Sequence, residues 1–171
     1  MKQLVLLGAG GFAKTLADIA GQRGTYDKII FLDDNPAALN THGVCADYLK
    51  FKNENTAMYP AFGSNELRLK WLDILTRENI PLASFIHPTA YVSPTVRLGP
   101  ATVILPQAVV NSHCRLERGC IVNCGAVIDH DCVLEEGVHL CIGALVKAEN
   151  RLPAKLKVEA GQVILNRTYP L

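Results

Sequence analysis

From Ile86 onward an aliphatic residue occupies every sixth position: Ile86, Val92, Leu98, Ile104, Val110, Leu116, Val122, Ile128, Leu134, Leu140, Val146, Leu152, Val158 and Ile164. A helix of 3.6 residues per turn would scatter such a series over all its faces, and simple strand alternation does not single out each sixth residue. A triangular coil of three short strands does. Each hexad forms one side and one corner, and residues eighteen apart stack inside the prism. Companion positions agree. Ala90, Val96, Thr102, Ala108, Cys114, Cys120, Ala126, Cys132, Val138 and Ala144 follow the aliphatics by four places and are expected at tight corners. Gly119, Gly125, Gly137, Gly143 and Gly161 share the place before them, where glycine relieves backbone strain. Pro88, Pro94, Pro100 and Pro106 come two places after an aliphatic; lacking a donor, they are expected at turns or on the coil edge. Residues 86–171 are thus predicted to form a left-handed parallel β-helix of hexapeptide repeats, with four to five coils. An ordinary sandwich has no such constant period.

Residues 1–85 follow another pattern. Leu4–Leu7 reads as a buried strand, Gly8–Gly11 as a turn, and Phe12 to Gln22 as a helix with Ala13, Leu16, Ala17 and Ala20 at helical spacing. Lys28–Leu32 is a second strand ending at Asp33 and Asp34, and a third lies near Ala57–Phe62. Gly63, Ser64 and Asn65 then lead into a helix from about Glu66 to Arg77. This alternation predicts an α/β domain with a short parallel sheet and ligand-binding loops at the strand ends. Gly8-Ala9-Gly10-Gly11-Phe12-Ala13 fits G-x-G-x-x-A, with Asp33 ending the next strand. A lone fingerprint admits three readings: a nicotinamide-dinucleotide site, a nucleotide-sugar diphosphate site, or a purely structural turn. The first wants a longer sheet and a second catalytic domain.

Composition narrows the classes. Apolar residues make up 49% and charged residues 19%, with a net charge of +1, so neither disorder nor a field drawing the chain to nucleic acid is expected. No apolar run approaches the roughly 20 residues that span a bilayer. The apolar stretch at the start runs at once into a glycine turn, unlike a signal peptide, so a cytoplasmic protein is expected. The six cysteines form no C-x-x-C pair. Small buried thiols in a reducing compartment are expected, and no metal site.

Among the repeats Ile128-Asp129-His130-Asp131-Cys132 carries the candidate chemistry. His130 shares its repeat position with Ser112 and Ala148 and is expected to point outward, with Asp129 or Asp131 orienting its ring and raising its basicity. By itself such a histidine is commonly a solvated surface group. His139 lies half a coil on, at an expected corner.

Together GAGGFAK, FLDD, FGSNELR, SFIHPTAYVSPT and IVNCGAVIDHDCVLEEGVHLCIGA resemble the bacterial sialic-acid and amino-sugar acetyltransferases, a hexapeptide-repeat family that includes UDP-4-amino-sugar N-acetyltransferases. The resemblance runs to about Gly143. It implies a homotrimer with active sites between prisms, no membrane span, and acetyl-CoA as co-substrate without a metal. His130 becomes the proton acceptor and Asp131 the acid that raises its basicity. Gly10, Gly11, Phe12, Asp33, Asp34, Gly63 and Asn65 hold a nucleotide-linked sugar, while His139, Gly143, Ala148 and Ala160 touch acetyl-CoA. The reaction implied is direct N-acetylation of a UDP-linked 4-amino-sugar. O-acetylation of sialic acid or a related sugar, or a trimeric nucleotide-sugar-binding protein with a decayed donor site, are the alternatives. The chain departs from the family pattern at Ala148-Glu149, where small residues such as Gly-Asn are usual, and in the coils that follow. Acetyl-CoA is therefore expected to bind more weakly than the acceptor, with Glu149 repelling it and Arg151, Lys155 and Lys157 partly compensating.

Overall fold

A computed structural model describes residues 1–171, which divide into two compact units, Met1–Ala83 and Ser84–Leu171.

In the first unit β1 (Gln3–Leu7) lies between β2 (Lys28–Leu32) and β3 (Thr56–Pro60) in a parallel sheet of order β2-β1-β3. Leu4, Val5, Leu6 and Leu7 are all fully buried, so both faces of the central strand are covered; an unbroken apolar run is the form such a strand takes. Val5 and Leu7 pack with Ile30, Leu32, Met58 and Leu75. Helix α1 (Gly11–Gln22) follows β1 and buries Ala13, Leu16, Ile19 and Ala20. Helix α2 (Asn65–Arg77) follows β3, and Ser64 caps it by accepting the Leu67 N–H at 3.2 Å. A short 3-10 helix, Cys45–Phe51, was not foreseen. Too short to show a period, it is held by tertiary contacts, including an edge-to-face stack of Tyr48 on Trp71 with centroids 5.5 Å apart.

The second unit is the hexapeptide β-helix. Its first face stacks β4 (Phe85–Ile86), β7 (Val103–Ile104), β10 (Ile121–Val122), β13 (His139–Leu140) and β16 (Lys157–Val158). The second stacks β5 (Tyr91–Val92), β8 (Val109–Val110), β11 (Val127–Ile128), β14 (Leu145–Val146) and β17 (Val163–Ile164). The third stacks β6 (Arg97–Leu98), β9 (Arg115–Leu116), β12 (Val133–Leu134) and β15 (Arg151–Leu152). All pairings are parallel between residues eighteen apart, and the periodic aliphatics form one interior core. Each buried aliphatic side chain contributes about 1.5–3 kcal/mol before the entropy of ordering is set against it.

Two details differ from expectation. The small residues do not line the corners. Ala108, Cys114, Cys120, Ala126, Cys132, Val138 and Ala144 face the core with at most 1% exposure, because the prism narrows where each side turns and only small groups fit. The corner itself is the pair of residues before them. Its second member takes positive φ from Ala101 onward, as at Gln107, His113, Gly119, Gly125, Asp131, Gly137, Gly143 and Glu149. Glycine suits that conformation best, and the non-glycine residues adopt it within the same turn. At Asn150, where a small apolar residue belongs, a fully buried amide donates to the Lys147 and Leu165 carbonyls at 2.8 and 2.9 Å and accepts the Tyr169 N–H at 2.9 Å. It ties residues 165–169 to the last coil.

Candidate active site

His130 stands at the corner between the second and third faces, directly after β11. Its imidazole Nδ1 lies 2.7 Å from Asp131 Oδ2, and both side chains are about half exposed, at 52% and 47%. Asp131 occupies the left-handed corner position, with φ of 56°. Its N–H donates to the Ser112 carbonyl of the preceding coil at 3.0 Å, which sets the carboxylate beside the ring. Asp129 accepts the backbone N–H of His130 at 2.8 Å, so it steadies the loop while Asp131 engages the ring. The hydrogen bond that Nδ1 donates to Asp131 is the main cause that raises the imidazole pKa above its ordinary value. Partial desolvation opposes it, and the charges of Asp129, Asp131 and Glu149 add to it. With Nδ1 donating to Asp131, Nε2 carries the lone pair and is left to accept a proton.

Glu149 belongs to this corner although sequence reasoning placed it only opposite a donor. It stacks one coil above Asp131, its N–H donating to the His130 carbonyl at 3.2 Å, and Arg167 Nε holds its carboxylate at 2.7 Å. The eighteen-residue interval between Asp131 and Glu149 is the signal that could have found it. Arg151 is likewise paired, to Glu135 at 2.7 Å, and Lys157 to Glu159 at 3.1 Å, so the charges expected to offset Glu149 are themselves partly offset by neighbouring carboxylates.

The four residues expected on the donor side fall at different places. Gly143 and Ala160 are exposed at the corner between the first and second faces. His139 is not at a corner but in β13, paired with Ile121 and Lys157. Ala148 sits on His130's corner yet is only 3% exposed, contrary to its expected outward aim. Its methyl is too short to clear the neighbouring turn, beside which Asn150 pins the following segment. Between the two corners runs the second face, whose outward row is Tyr91, Val109, Val127, Leu145 and Val163. Every member is apolar or aromatic, whereas the third face presents Arg97, Arg115, Val133 and Arg151.

In the first unit the loops after β1 and β2 meet. Gly8 is the glycine that the turn requires, with φ of 106° and a hypothetical Cβ 3.1 Å from the Ala61 carbonyl oxygen. Gly10 has φ of −73°, which any residue adopts, and a Cβ on Gly10 or Gly11 would meet nothing within 4 Å. Both are exposed at the start of α1, with half-buried Phe12 stacked edge-on to Tyr59 at 6.3 Å. Asp33 is engaged by the chain itself, accepting the Ala9 and Asn35 N–H groups at 2.7 and 2.8 Å. Asp34 is exposed and accepts the Cys45 N–H at 2.8 Å. Gly63 has open space around it, but Asn65 turns inward, 5% exposed, its side-chain oxygen accepting from the fully buried Arg68 at 2.8 Å. Arg68 also donates to the Phe62 carbonyl at 3.1 Å, so this pair shapes the loop after β3.

The family profile described as PglD N-terminal domain matches residues 3–75. Over nearly the whole chain, the acetyltransferase domain of PglB from Neisseria gonorrhoeae FA1090 is 30% identical, with a TM-score of 0.91, 98% of this chain and 84% of that chain covered. The chain belongs to the hexapeptide-repeat sugar acetyltransferases. The same PglB domain has been solved in complex with acetyl coenzyme A, matching with a TM-score of 0.91 over 97% of this chain and 83% of that one at 30% identity. PerB from Caulobacter crescentus, in complex with CoA and GDP-perosamine, is 26% identical with a TM-score of 0.85, over 100% of this chain and 92% of that chain. No curated protein sequence matches.

In this sugar acetyltransferase all six thiols are free and four of them buried. A hydrogen bond with the Cys132 thiol, and then burial, hold Cys114 protonated well above the ordinary thiol range, which makes it a packing group. Burial likewise raises the Cys141 thiol, so the thiol nearest His139 in sequence is not primed as a nucleophile. No group of three or more His, Cys, Asp or Glu residues is placed to hold a metal ion, and no helix is long and apolar enough to cross a membrane.

Proposed function

We propose that this protein acetylates the amine of a UDP-linked 4-amino-sugar with acetyl-CoA, in bacterial glycan biosynthesis. The observation that carries the reading is the His130–Asp131 pair, 2.7 Å apart on an exposed corner with Nε2 unengaged by the pair. The amine attacks the thioester carbonyl while His130 Nε2 accepts a proton from it; the tetrahedral intermediate expels the CoA thiolate, which takes the proton back from the imidazolium. The exchange balances without an acyl-enzyme or a metal. Asp131 keeps Nδ1–H facing inward and stabilises the imidazolium that forms.

The acceptor is assigned to the loops after β1 and β2. Gly10 and Gly11 are required neither by their φ nor by any neighbouring atom within 4 Å, so the absence of side chains there is explained by something that approaches from outside. Exposed N–H groups at the start of α1 suit a diphosphate. Asp33 acts by fixing the loop through Ala9, with Asp34 the exposed carboxylate beside it. On the donor side the thioester arm lies across the second face, from Gly143 and Ala160 toward His130. That apolar row also supports a homotrimer, since a sheet face without polar residues is stable when another copy covers it. The test is a panel of UDP- and GDP-linked amino-sugars with acetyl-CoA, read by thiol release. Turnover with a UDP-4-amino-sugar, lost in His130→Ala, supports the reading; turnover only with hydroxyl acceptors overturns N-acylation.

A further inference from the structure

Arg97 and Arg115 stand opposite each other on the neighbouring parallel strands β6 and β9, and both are exposed. Such strands lie about 4.8 Å apart, and like charges paired across them destabilise a sheet. One carboxylate offsets this pair, Glu117 at 3.1 Å from Arg115 Nε, while Arg97 forms no ion pair. The next rung carries Val133 in place of a third cation. A cleft of about 410 Å³ results, lined by Thr95, Arg97, His113, Cys114, Arg115 and Val133.

The cleft has a built wall and a definite neighbour. Thr95 Oγ1 accepts the His113 N–H at 2.9 Å and lies 3.1 Å from Ser93 Oγ, which fixes His113 in its left-handed corner conformation of φ 59°. His113 occupies the same corner column as Asp131, one coil earlier, and the two turns are joined by the Asp131 N–H on the Ser112 carbonyl. Two guanidiniums, an imidazole and a hydroxyl therefore converge one coil from the His130 ring. Nothing in the hydrophobic core needs them there, and electrostatically they are better off with an anion between them.

We propose that this cleft is a phosphate site that anchors the phosphorylated part of a substrate whose other end reaches His130. Guanidinium forks match phosphate oxygens in pairs, which a lysine ammonium does not. Both substrates of the proposed transfer carry phosphates, the donor in its CoA moiety and the acceptor in its diphosphate, which the cleft would then hold in place of the start of α1. The anchoring role rests on the function proposed above, whereas binding of the anion does not.

Two arms of one experiment separate these points. In the first, inorganic pyrophosphate is titrated into wild type, Arg97→Gln and Arg115→Gln at constant ionic strength, with thermal midpoint and calorimetry as readouts. Wild type is expected to show a saturable rise in midpoint, and each variant about tenfold weaker binding, the loss of one charge-assisted contact. Without pyrophosphate, Arg97→Gln should be at least as stable as wild type because the like-charge pair is relieved. Equal binding by all three proteins overturns the site. In the second arm, KM for the nucleotide-sugar and for acetyl-CoA is measured on the same variants. A rise in one KM that exceeds any fall in kcat names the anchored substrate, and no change in either KM overturns the anchoring role. Dissociation of the assembly in Arg97→Gln, seen by light scattering, would make the cleft a subunit contact and also overturn it. Should no amino-sugar nucleotide be turned over by wild type, the functional reading fails while the pyrophosphate arm still decides the site.

Discussion

His130 is held between conflicting demands, and its neighbours set where they balance. As the proposed base it must be neutral to accept a proton, so turnover is expected to fall as pH drops through its pKa. Asp131 raises that pKa, with Asp129 and Glu149 adding to the effect, so the acid limb of kcat/KM should lie above the position of an ordinary imidazole. Asp131→Asn removes the main raising contact and should move the limb to lower pH, with a smaller loss of plateau turnover than His130→Ala. The latter should cost about 10²–10⁴-fold in kcat with little change in thermal midpoint. A pH profile of both variants checks this, and an unmoved limb in Asp131→Asn would show that the carboxylate does not govern the base. Gly99 answers to packing instead. A Cβ there would lie 2.5 Å from Arg118 N and 2.7 Å from Glu117 C, backbone atoms that cannot turn aside. Gly99→Ala should destabilise by about 1–3 kcal/mol in denaturant unfolding. Gly63→Ala, with nothing within 4 Å, should be close to neutral. The sequence placed His130 outward through the repeat register and left Asp129 and Asp131 as alternatives until the family resemblance chose between them. It named Gly63 as a ligand residue and did not mark Gly99, because what a missing side chain spares depends on atoms distant along the chain.

At the level of elements, the loop after β1 shows how a motif distributes its work. Gly8 answers the backbone, Gly10 and Gly11 leave open space, and Asp33 holds the loop by the Ala9 N–H. Gly10→Val should therefore leave thermal stability near wild type while weakening UDP-sugar binding. Gly8→Ala should lower both, since it faces a positive φ and the Ala61 carbonyl together. Calorimetric titration beside thermal unfolding separates the two effects; tight UDP-sugar binding by Gly10→Val would remove the loop from the acceptor site. Asn65 carries a related lesson. Its place in a strand-end loop suggested a ligand contact, but α2 begins at that residue and turns its amide toward Arg68.

For the whole molecule, the three prism faces differ in what they show to the outside. The second face offers Tyr91, Val109, Val127, Leu145 and Val163, with Tyr91 55% and Val163 49% exposed, and His130 stands at its edge. If this row is the contact of the proposed homotrimer, a single carboxylate in it should abolish association, since burying it unpaired costs several kcal/mol. Val127→Glu is expected to run as a monomer in light scattering, to keep its far-UV circular dichroism, and to lose turnover. A Val127→Glu protein that associates as wild type does would remove this row from the proposed subunit contact, and a fully active monomer would place the active site within one prism.

The aliphatic series from Ile86 to Ile164 determined the coil, its interior and its number of turns, because a period of six allows one side of a triangle per hexad and leaves no competing register. The same count carried the columns of residues eighteen apart, and with them the shared corner of Ser112, His130 and Ala148. What that count could not convey was direction and partnership. Ala148 is covered, Asp33 is occupied by its own loop, Glu149 is held by Arg167, and the small residues fill the core instead of the corners. Each outcome depends on which atoms of other coils or strands lie within a few ångströms. Periodicity places a residue on a rung, and only the packed neighbours settle whether its side chain meets solvent, core or a charge.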